Sequence, residues 1–516
     1  MKKSFVKSAS LLMLATLGAK FIGALFRLPL TNLVGVEGMG LYQLVYPVYS
    51  LMLTLSSGAI PLAISILVSE KNALGNRKES NSLVKSALRL LLFTGLLLSL
   101  SLFFLSGFLS KLQGQENAYL GYLAISPSIL FVSGIAVLRG YFQGLHQTFP
   151  TSLSQISEAV VKLIVGLSLA YILTPMGVVY QVAGALFGVS ISEVATFLIL
   201  YVLYKKRARL KTSFDFKIAS KEYKEILKIS LPITIGGIIF PLTQFIDSFM
   251  VVNVLKNTLG ATIATSSYGL YSGPISTLIN LPVSLSLALG IAVVPHLSKN
   301  KEERNLGEIR LKTSTAVKTA VMVGTPFTIL FLMAPTEILS LLYKTLTENE
   351  LILGAEMLMI SAPTIIFLSI TQICTAVLQG LKDLKSPIVN LIIGGVTKTL
   401  LSLVLLYTIG IKGVAVAGLI SFLVVAVLNL LSVFRLMGKN SDIVKNSGAI
   451  LLFGAIIGVS LSIGVAFHLS GAMLTIISIF SGIFYLFLVV TSKVFTEEEI
   501  LSLPFGGKII KLKKGR

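Results

Sequence analysis

The residues able to hold an ion or a charged group are few, and they stand inside long apolar runs. Lys20 and Arg27 are seven apart, two helical turns, and so share one face. Two stacked cations suit a group carrying several negative charges, such as a pyrophosphate. The alternative is that Arg27 snorkels to an interface and Lys20 pairs with a carboxylate. Gly18, Gly23 and Pro29 surround them and favour a bend. Glu158 and Lys162 are four apart in the favourable acid-first order, which reads as an internal ion pair. Lys398 has Gly394 where such a partner would stand, and so reads as a cation facing a cavity. Glu193 is a counter-charge or a titrating acid. Asp247 is the sole acid of its run, suited to coupling sodium or protons or to bonding a neighbouring Ser or Thr. A charge in hydrocarbon costs about 2.5 kcal/mol or more, so each of these is a functional candidate.

Nothing points to catalysis. His146, His296 and His468 are scattered, and no nucleophile elbow, HExxH or phosphate-binding glycine loop stands in a fitting context. A single cysteine, Cys374, excludes an internal disulfide and a cysteine metal cage. The expectation is a protein that is not an enzyme and holds no metal or cofactor. Sodium, protons or the membrane potential would drive it.

The elements that position these residues follow from composition. The chain is 54% hydrophobic and only 13% charged, with a mean hydropathy of +0.89. A soluble fold would lack the charges to cover its surface, whereas a bilayer is a fitting solvent. The net charge of +21 sits in short clusters between apolar runs, the pattern of membrane topology and not of a nucleic-acid face. Fourteen runs long enough to span fall near 8–30, 41–69, 86–110, 119–141, 151–173, 179–204, 226–255, 268–297, 316–335, 355–379, 387–409, 412–434, 447–468 and 472–494. Met1 to Ala19 has the basic start of a signal peptide, but no cleavage site precedes Lys20, and a retained first helix is expected. With the N-terminus, even loops and C-terminus on one side, that side takes 35 of the 43 Lys and Arg, and the other takes Lys111, Lys256, Lys344 and Lys412. The basic side is cytoplasmic by the positive-inside rule. This predicts a multi-pass protein of the cell membrane with both termini inside.

The segment Lys205 to Lys228 carries nine basic residues and divides six helices from eight. The organisation expected is an N-terminal lobe at 1–204, a basic cytoplasmic linker at 205–225, a C-terminal lobe at 226–436, and two last helices with a basic tail at 437–516. The tail cations Lys508, Lys511, Lys513, Lys514 and Arg516 suit anionic lipid. An internal repeat joins the lobes. Gln143-Gly144-Leu145 recurs as Gln379-Gly380-Leu381, with Lys162 meeting Lys398 and Tyr171 meeting Tyr407 at the same offset. Gly40-Leu41-Tyr42 recurs as Gly269-Leu270-Tyr271. An even number of helices per copy makes the repeat parallel, two lobes around a central cavity that rocking exposes to each side in turn. The fold class is thus an all-α polytopic membrane protein of about 14 transmembrane helices, two six-helix lobes plus two.

The run Glu37-Gly38-Met39-Gly40-Leu41-Tyr42 and the run Arg139-Gly140-Tyr141-Phe142-Gln143-Gly144, followed by Pro150 to Glu158, resemble the polysaccharide-biosynthesis branch of the multidrug/oligosaccharidyl-lipid/polysaccharide (MOP) exporter superfamily. That branch holds the stage V sporulation protein B-like proteins and the MurJ-like lipid II flippases. The resemblance covers nearly the whole chain and implies a flippase. Its substrate would be an undecaprenyl-pyrophosphate-linked cell-wall precursor, lipid II or a related polysaccharide unit, carried by alternating access. Lys20, Arg27, Lys162 and Lys398 would meet the headgroup, and the last two helices would form a groove for the lipid tail. A monomer, membrane lipids as neighbours, cell-wall synthesis proteins as partners and a use in sporulation are implied in the same way. MurJ-like proteins carry cavity arginines on helices 1, 2 and 8, and here helices 2 and 8 have no cation in their spans. A sodium site of some relatives uses an acid on helix 7 and an Asn plus an acid on helix 11; Asp247 and Asn390 match, and Gly394 stands where the second acid would be. A cation-coupled multidrug antiporter of the same superfamily and a polytopic glycosyltransferase are the competing functions. Fewer acids than cations inside the membrane weigh against the first. The longest external loop, at 336–354 with Glu337, Glu348 and Glu350, weighs against the second.

Overall fold

The computed structural model describes residues 2–208, 220–303, 305–438, 441–467, 469, 471–492 and 494–502. Most of the basic linker, His468 and the tail from Leu503 onward, with its five cations, lie outside the described residues. The chain forms two compact units, Met1–Gly273 and Pro274–Arg516.

In the first unit α1 is Lys2–Ser57, α2 Ile60–Ala73, α3 Arg77–Leu112, α4 Tyr119–Gly144, α5 Thr148–Ile172, α6 Val178–Ala208, α7 Ser220–Leu259 and α8 Ala261–Leu270. In the second, α9 is Ser276–Glu302, α10 Leu306–Met333, α11 Pro335–Leu342, α12 Glu348–Ser361, α13 Thr364–Gly380 and α14 Lys385–Ile409. It continues with α15 Lys412–Met437, α16 Ser441–Ala466, α17 Gly471–Thr491 and α18 Glu497–Ser502. All fourteen runs picked out by hydropathy fall mainly on helix among the described residues. Among the described residues, eleven helices are long and apolar enough to cross a membrane, or twelve if the bent pair α12 and α13 is one span. In hydrocarbon, helices satisfy their own backbone groups.

The first of these stretches, Leu14–Ala73, has 60 residues. At 1.5 Å per residue a straight helix of that length reaches about 90 Å, three times the hydrocarbon core. It breaks at Gly35, where φ is 67° and ψ −175°, a region open essentially to glycine alone. The break turns the chain back on itself. Phe26 and Tyr42, 16 positions apart, have ring centroids 6.4 Å apart. The first expected span therefore lies before this break, and the second, 41–69, runs from the later part of α1 into α2.

The repeat is written in backbone geometry. Among the described residues, His146 and Lys382, repeat mates, are the non-glycine residues with positive φ, at 56° and 58°. Each follows a Gln-Gly-Leu helix end closed by the same turn. Gln147 N–H donates to the Phe142 carbonyl at 2.9 Å, and Asp383 N–H to the Leu378 carbonyl at 2.8 Å. The other repeat register behaves alike, with Asn76 N–H on Lys71 O and Asn305 N–H on Asn300 O, both at 2.9 Å.

The compact units are not the repeat copies. The second copy opens with α7 and α8, yet both belong to the first unit because they pack on α1. A Cβ added at Gly269 would lie 2.0 Å from Val36 O and 2.4 Å from Gly40 N, and one at Gly40 would lie 2.2 Å from Thr265 O. Gly40 and Gly269 are repeat mates, so this backbone approach is self-complementary. The Gln43 side-chain amide also donates to the carbonyl of its own repeat mate, Ser272. Gln113 reaches the Leu44 carbonyl and the Ser248 hydroxyl, each at 3.0 Å, and Gln115 the Thr265 hydroxyl at 3.0 Å.

The second unit holds a buried charge pair that sequence reading did not single out. Lys318 on α10, counted above with the loop cations, is 1% exposed, and its Nζ stands 2.5 Å from Glu499 Oε2 on α18. Glu499 also accepts from Ser314 at 2.8 Å and from Thr496 N–H at 2.9 Å, and the Phe495 ring lies under the ammonium at 5.1 Å. Removing one partner leaves an uncompensated buried charge, at a cost of about 3–5 kcal/mol. Lys318→Ala is therefore expected to lower the thermal unfolding midpoint sharply in detergent. The Lys318→Ala/Glu499→Ala double variant is expected to be more stable than the sum of the single losses. Additive losses in that cycle would count against the pair.

Candidate functional site

A cluster of charged and aromatic side chains stands inside the first unit, on α1, α4, α5 and α6. On α1, Tyr42, Tyr46 and Tyr49 follow at helical spacing and form a ladder, with centroids 5.6 Å and 5.8 Å apart. Tyr42 and Tyr49 are buried. The break at Gly35 brings the start of α1 against this ladder. The Arg27 guanidinium lies 5.8 Å from the Tyr46 centroid, and Lys162 Nζ on α5 lies 5.4 Å from the Phe26 centroid. Both cations are half-buried, and cation–π contacts of this kind offset part of their desolvation.

Glu158 does not depend on Lys162 for its partner. Arg139 on α4 holds it at 2.7 Å and donates from Nε to Ser154 at 2.9 Å. Glu193 on α6 is 5% exposed, and its electrostatic neighbours are Glu158, Arg139 and Lys162. Three cations (Arg27, Arg139, Lys162) thus stand with two acids. Lys20 is separate from this group, an exposed side chain beside exposed Phe21. Asp247 is buried on α7, with Tyr268 of α8 as an electrostatic neighbour.

The second copy has the same frame with other chemistry. At the repeat offset Arg139 becomes Thr375, Ser154 becomes Asn390, Glu158 becomes Gly394, Lys162 stays Lys398, and Glu193 becomes Asn429. Here Asn390 donates to Asn429 at 2.8 Å and to Ser432 at 3.2 Å, and Asn429 donates to Thr375 at 3.2 Å. A network of neutral amides and hydroxyls replaces the ionic one. Gly394 has no room for an acid, because a Cβ there would meet Val425 Cγ2 at 2.1 Å. Lys398 is half-buried on α14.

The motif glycines are packing residues. A Cβ at Gly140 would stand 2.7 Å from Pro61 O, and one at Gly144 2.7 Å from Ser65 O, so α4 lies directly on the backbone of α2. Gly38 is closed in by Val34 and Val178. Glu37 and Gln143 are half-buried. Arg139 was legible as part of a motif but not as the partner of Glu158, since the two meet across helices. The tyrosine ladder has a signal in the sequence, Tyr42, Tyr46 and Tyr49 at helical spacing, but that spacing alone does not separate a site from an ordinary aromatic core. Among the described residues, no three His, Cys, Asp or Glu side chains stand together to hold a metal ion.

The fold and this cluster define a multi-pass membrane transporter of the MOP superfamily. The chain belongs to the polysaccharide biosynthesis protein family, whose model matches residues 5–301; a second model, MatE, matches 232–407, within the second copy. It is 26% identical to stage V sporulation protein B of Bacillus subtilis over 99% of both chains. It is 25% identical to the lipid II flippase MurJ of the same organism, over 90% of this chain and 89% of that one. Among solved structures, lipid II flippase MurJ in an inward closed conformation shares the fold with a TM-score of 0.68 at 18% identity, over 93% of this chain and 97% of that one.

Loss of Arg139 would leave Glu158 and Glu193 without their nearest fixed cation. Arg139→Ala is expected to lower thermal stability by about 1–3 kcal/mol, the pair being partly exposed, with Arg139→Ala/Glu158→Gln recovering much of it. Losses of Arg139→Ala and Glu158→Gln that simply add in the double variant, read from detergent melts, would show that the pair is not coupled.

Proposed function

We propose that this transporter flips an undecaprenyl-pyrophosphate-linked cell-wall precursor, lipid II or a related polysaccharide unit, across the cytoplasmic membrane by alternating access. The observation that carries the reading is the excess of half-buried positive charge beside a tyrosine ladder. Arg139 is occupied by Glu158, which leaves Arg27 and Lys162 as cations resting on aromatic faces. A pyrophosphate supplies the negative charge such cations require, and stacked tyrosines suit the faces and hydroxyls of sugars. Lys398, its repeat mate, and Lys20 are assigned to the path of the same headgroup. The name of one relative, the lipid II flippase MurJ, agrees with this substrate class.

In this reading the lobes are 1–204 and 226–436, the linker 205–225 is cytoplasmic, and both termini are inside. The faces of α16 and α17, with Leu452, Val459, Phe480 and Phe487 exposed, would accept the polyprenyl tail. Asn390 is committed to an amide network and Gly394 excludes an acid, so coupling through a sodium site on α14 is not part of the proposal. Membrane potential acting on the moved charge, or a proton on Glu193 or Asp247, takes its place. An antiporter for organic cations would call for an acidic cavity, which the excess of cations opposes.

The test is replacement of an essential lipid II flippase in a depletion strain. The wild-type chain is expected to restore growth. Arg27→Ala/Lys162→Ala and Lys20→Ala/Arg27→Ala are expected to fail at unchanged membrane abundance. Growth supported by both double variants would overturn the headgroup assignment.

A further inference from the structure

We propose that a second site, built by the first unit alone and from other residues than the cluster around Lys162, binds a phosphate ester. A cavity of about 700 Å³ opens where α2, α3, α4 and α6 end or begin. That volume lies within the range of small-molecule sites, roughly 300–1,000 Å³. Its lining includes Arg77, the first residue of α3, and Arg207, in the last turn of α6, with His146, Asn72, Asn81 and Gln147.

Three features point to an anionic occupant. First, two guanidiniums line one cavity, and none of the residues lining it is acidic. Both arginines are exposed residues, and guanidinium is the side chain best shaped to grip a phosphate. Second, Glu79, the acid of the same helix turn as Arg77, is turned to Lys71 at 3.3 Å and to Asn76 at 3.4 Å. Third, the frame is fixed. Two helix ends close on it by the same tight turn, Asn76 N–H on Lys71 O and Gln147 N–H on Phe142 O, and Asn72 is held by the Val68 carbonyl at 2.8 Å and Ser80 at 3.2 Å. The amides around the arginines suit hydroxyls on the ester, so a polyhydroxylated headgroup fits better than bare phosphate.

The ester can come from a membrane lipid or from solution, and one experiment separates the sources. The purified full-length chain in detergent is titrated with phosphatidylglycerol, with glycerol 3-phosphate, and with phosphatidylcholine as a zwitterionic control, and bound species are counted by native mass spectrometry. The wild type is expected to retain phosphatidylglycerol or glycerol 3-phosphate at concentrations about tenfold or more below those needed by Arg77→Gln/Arg207→Gln. Retention of the lipid alone assigns the lipid source, and retention of glycerol 3-phosphate assigns the soluble one. Lys205→Gln, whose ammonium lies 5.5 Å from the Tyr201 centroid and does not line the cavity, is expected to bind as wild type. Arg207→Gln alone, at an exposed helix end, serves if the double variant does not fold. The proposal is overturned if wild type binds neither anion, if folded arginine variants bind as wild type, or if Lys205→Gln loses as much as they do.

Discussion

A charge carried into a helix bundle must find its opposite there, since the surrounding hydrocarbon offers nothing to solvate it. The two halves of this chain meet that demand differently on one frame. In the first copy Arg139, Glu158, Lys162 and Glu193 stand together, with Arg139 and Glu158 joined at 2.7 Å. In the second, the corresponding positions are Thr375, Gly394, Lys398 and Asn429, and amide hydrogen bonds take the place of ion pairs. The asymmetry matters for transport. One copy holds two acids and two cations at these positions, while its mate holds the single cation Lys398 among neutral groups, and Val425 fills the space an acid at Gly394 would need.

The glycines set how closely the copies can meet. Gly40 and Gly269 occupy the same place in the repeat and touch backbone to backbone, and Gln43 bonds to its own mate Ser272. A contact between a residue and its repeat mate lies where a two-fold relation between the copies would pass. Gln113 and Gln115 add hydrogen bonds to α7 and α8 beside this backbone contact. Gly140 and Gly144 instead fix α4 on α2 within one copy.

Much of this was legible in the sequence because membranes simplify the code. Length and hydropathy place the apolar runs on helices, of which eleven or twelve among the described residues are long enough to cross a membrane, and the repeat matches at Gln143 and Gln379 mark turns that the structure closes alike. The break at Gly35 was not legible, since nothing in the local composition marks that glycine as the one at positive φ. Charge partners were legible only along a helix: the four-residue spacing of Glu158 and Lys162 suggested a pair, and packing supplied Arg139 from α4 instead. Lys318 was read as a loop cation because its partner Glu499 lies 181 positions away, on a short helix that hydropathy does not reveal.

The central claim is that Arg27 and Lys162 stand ready for the phosphates of a lipid carrier. Native mass spectrometry of the purified chain with undecaprenyl pyrophosphate and with undecaprenol, for wild type and Arg27→Gln/Lys162→Gln, tests it most directly. The account predicts that wild type retains the pyrophosphate form and little of the alcohol, and that the variant loses this preference while still folding. Equal retention of both lipids by wild type, or an unchanged preference in the variant, would contradict it.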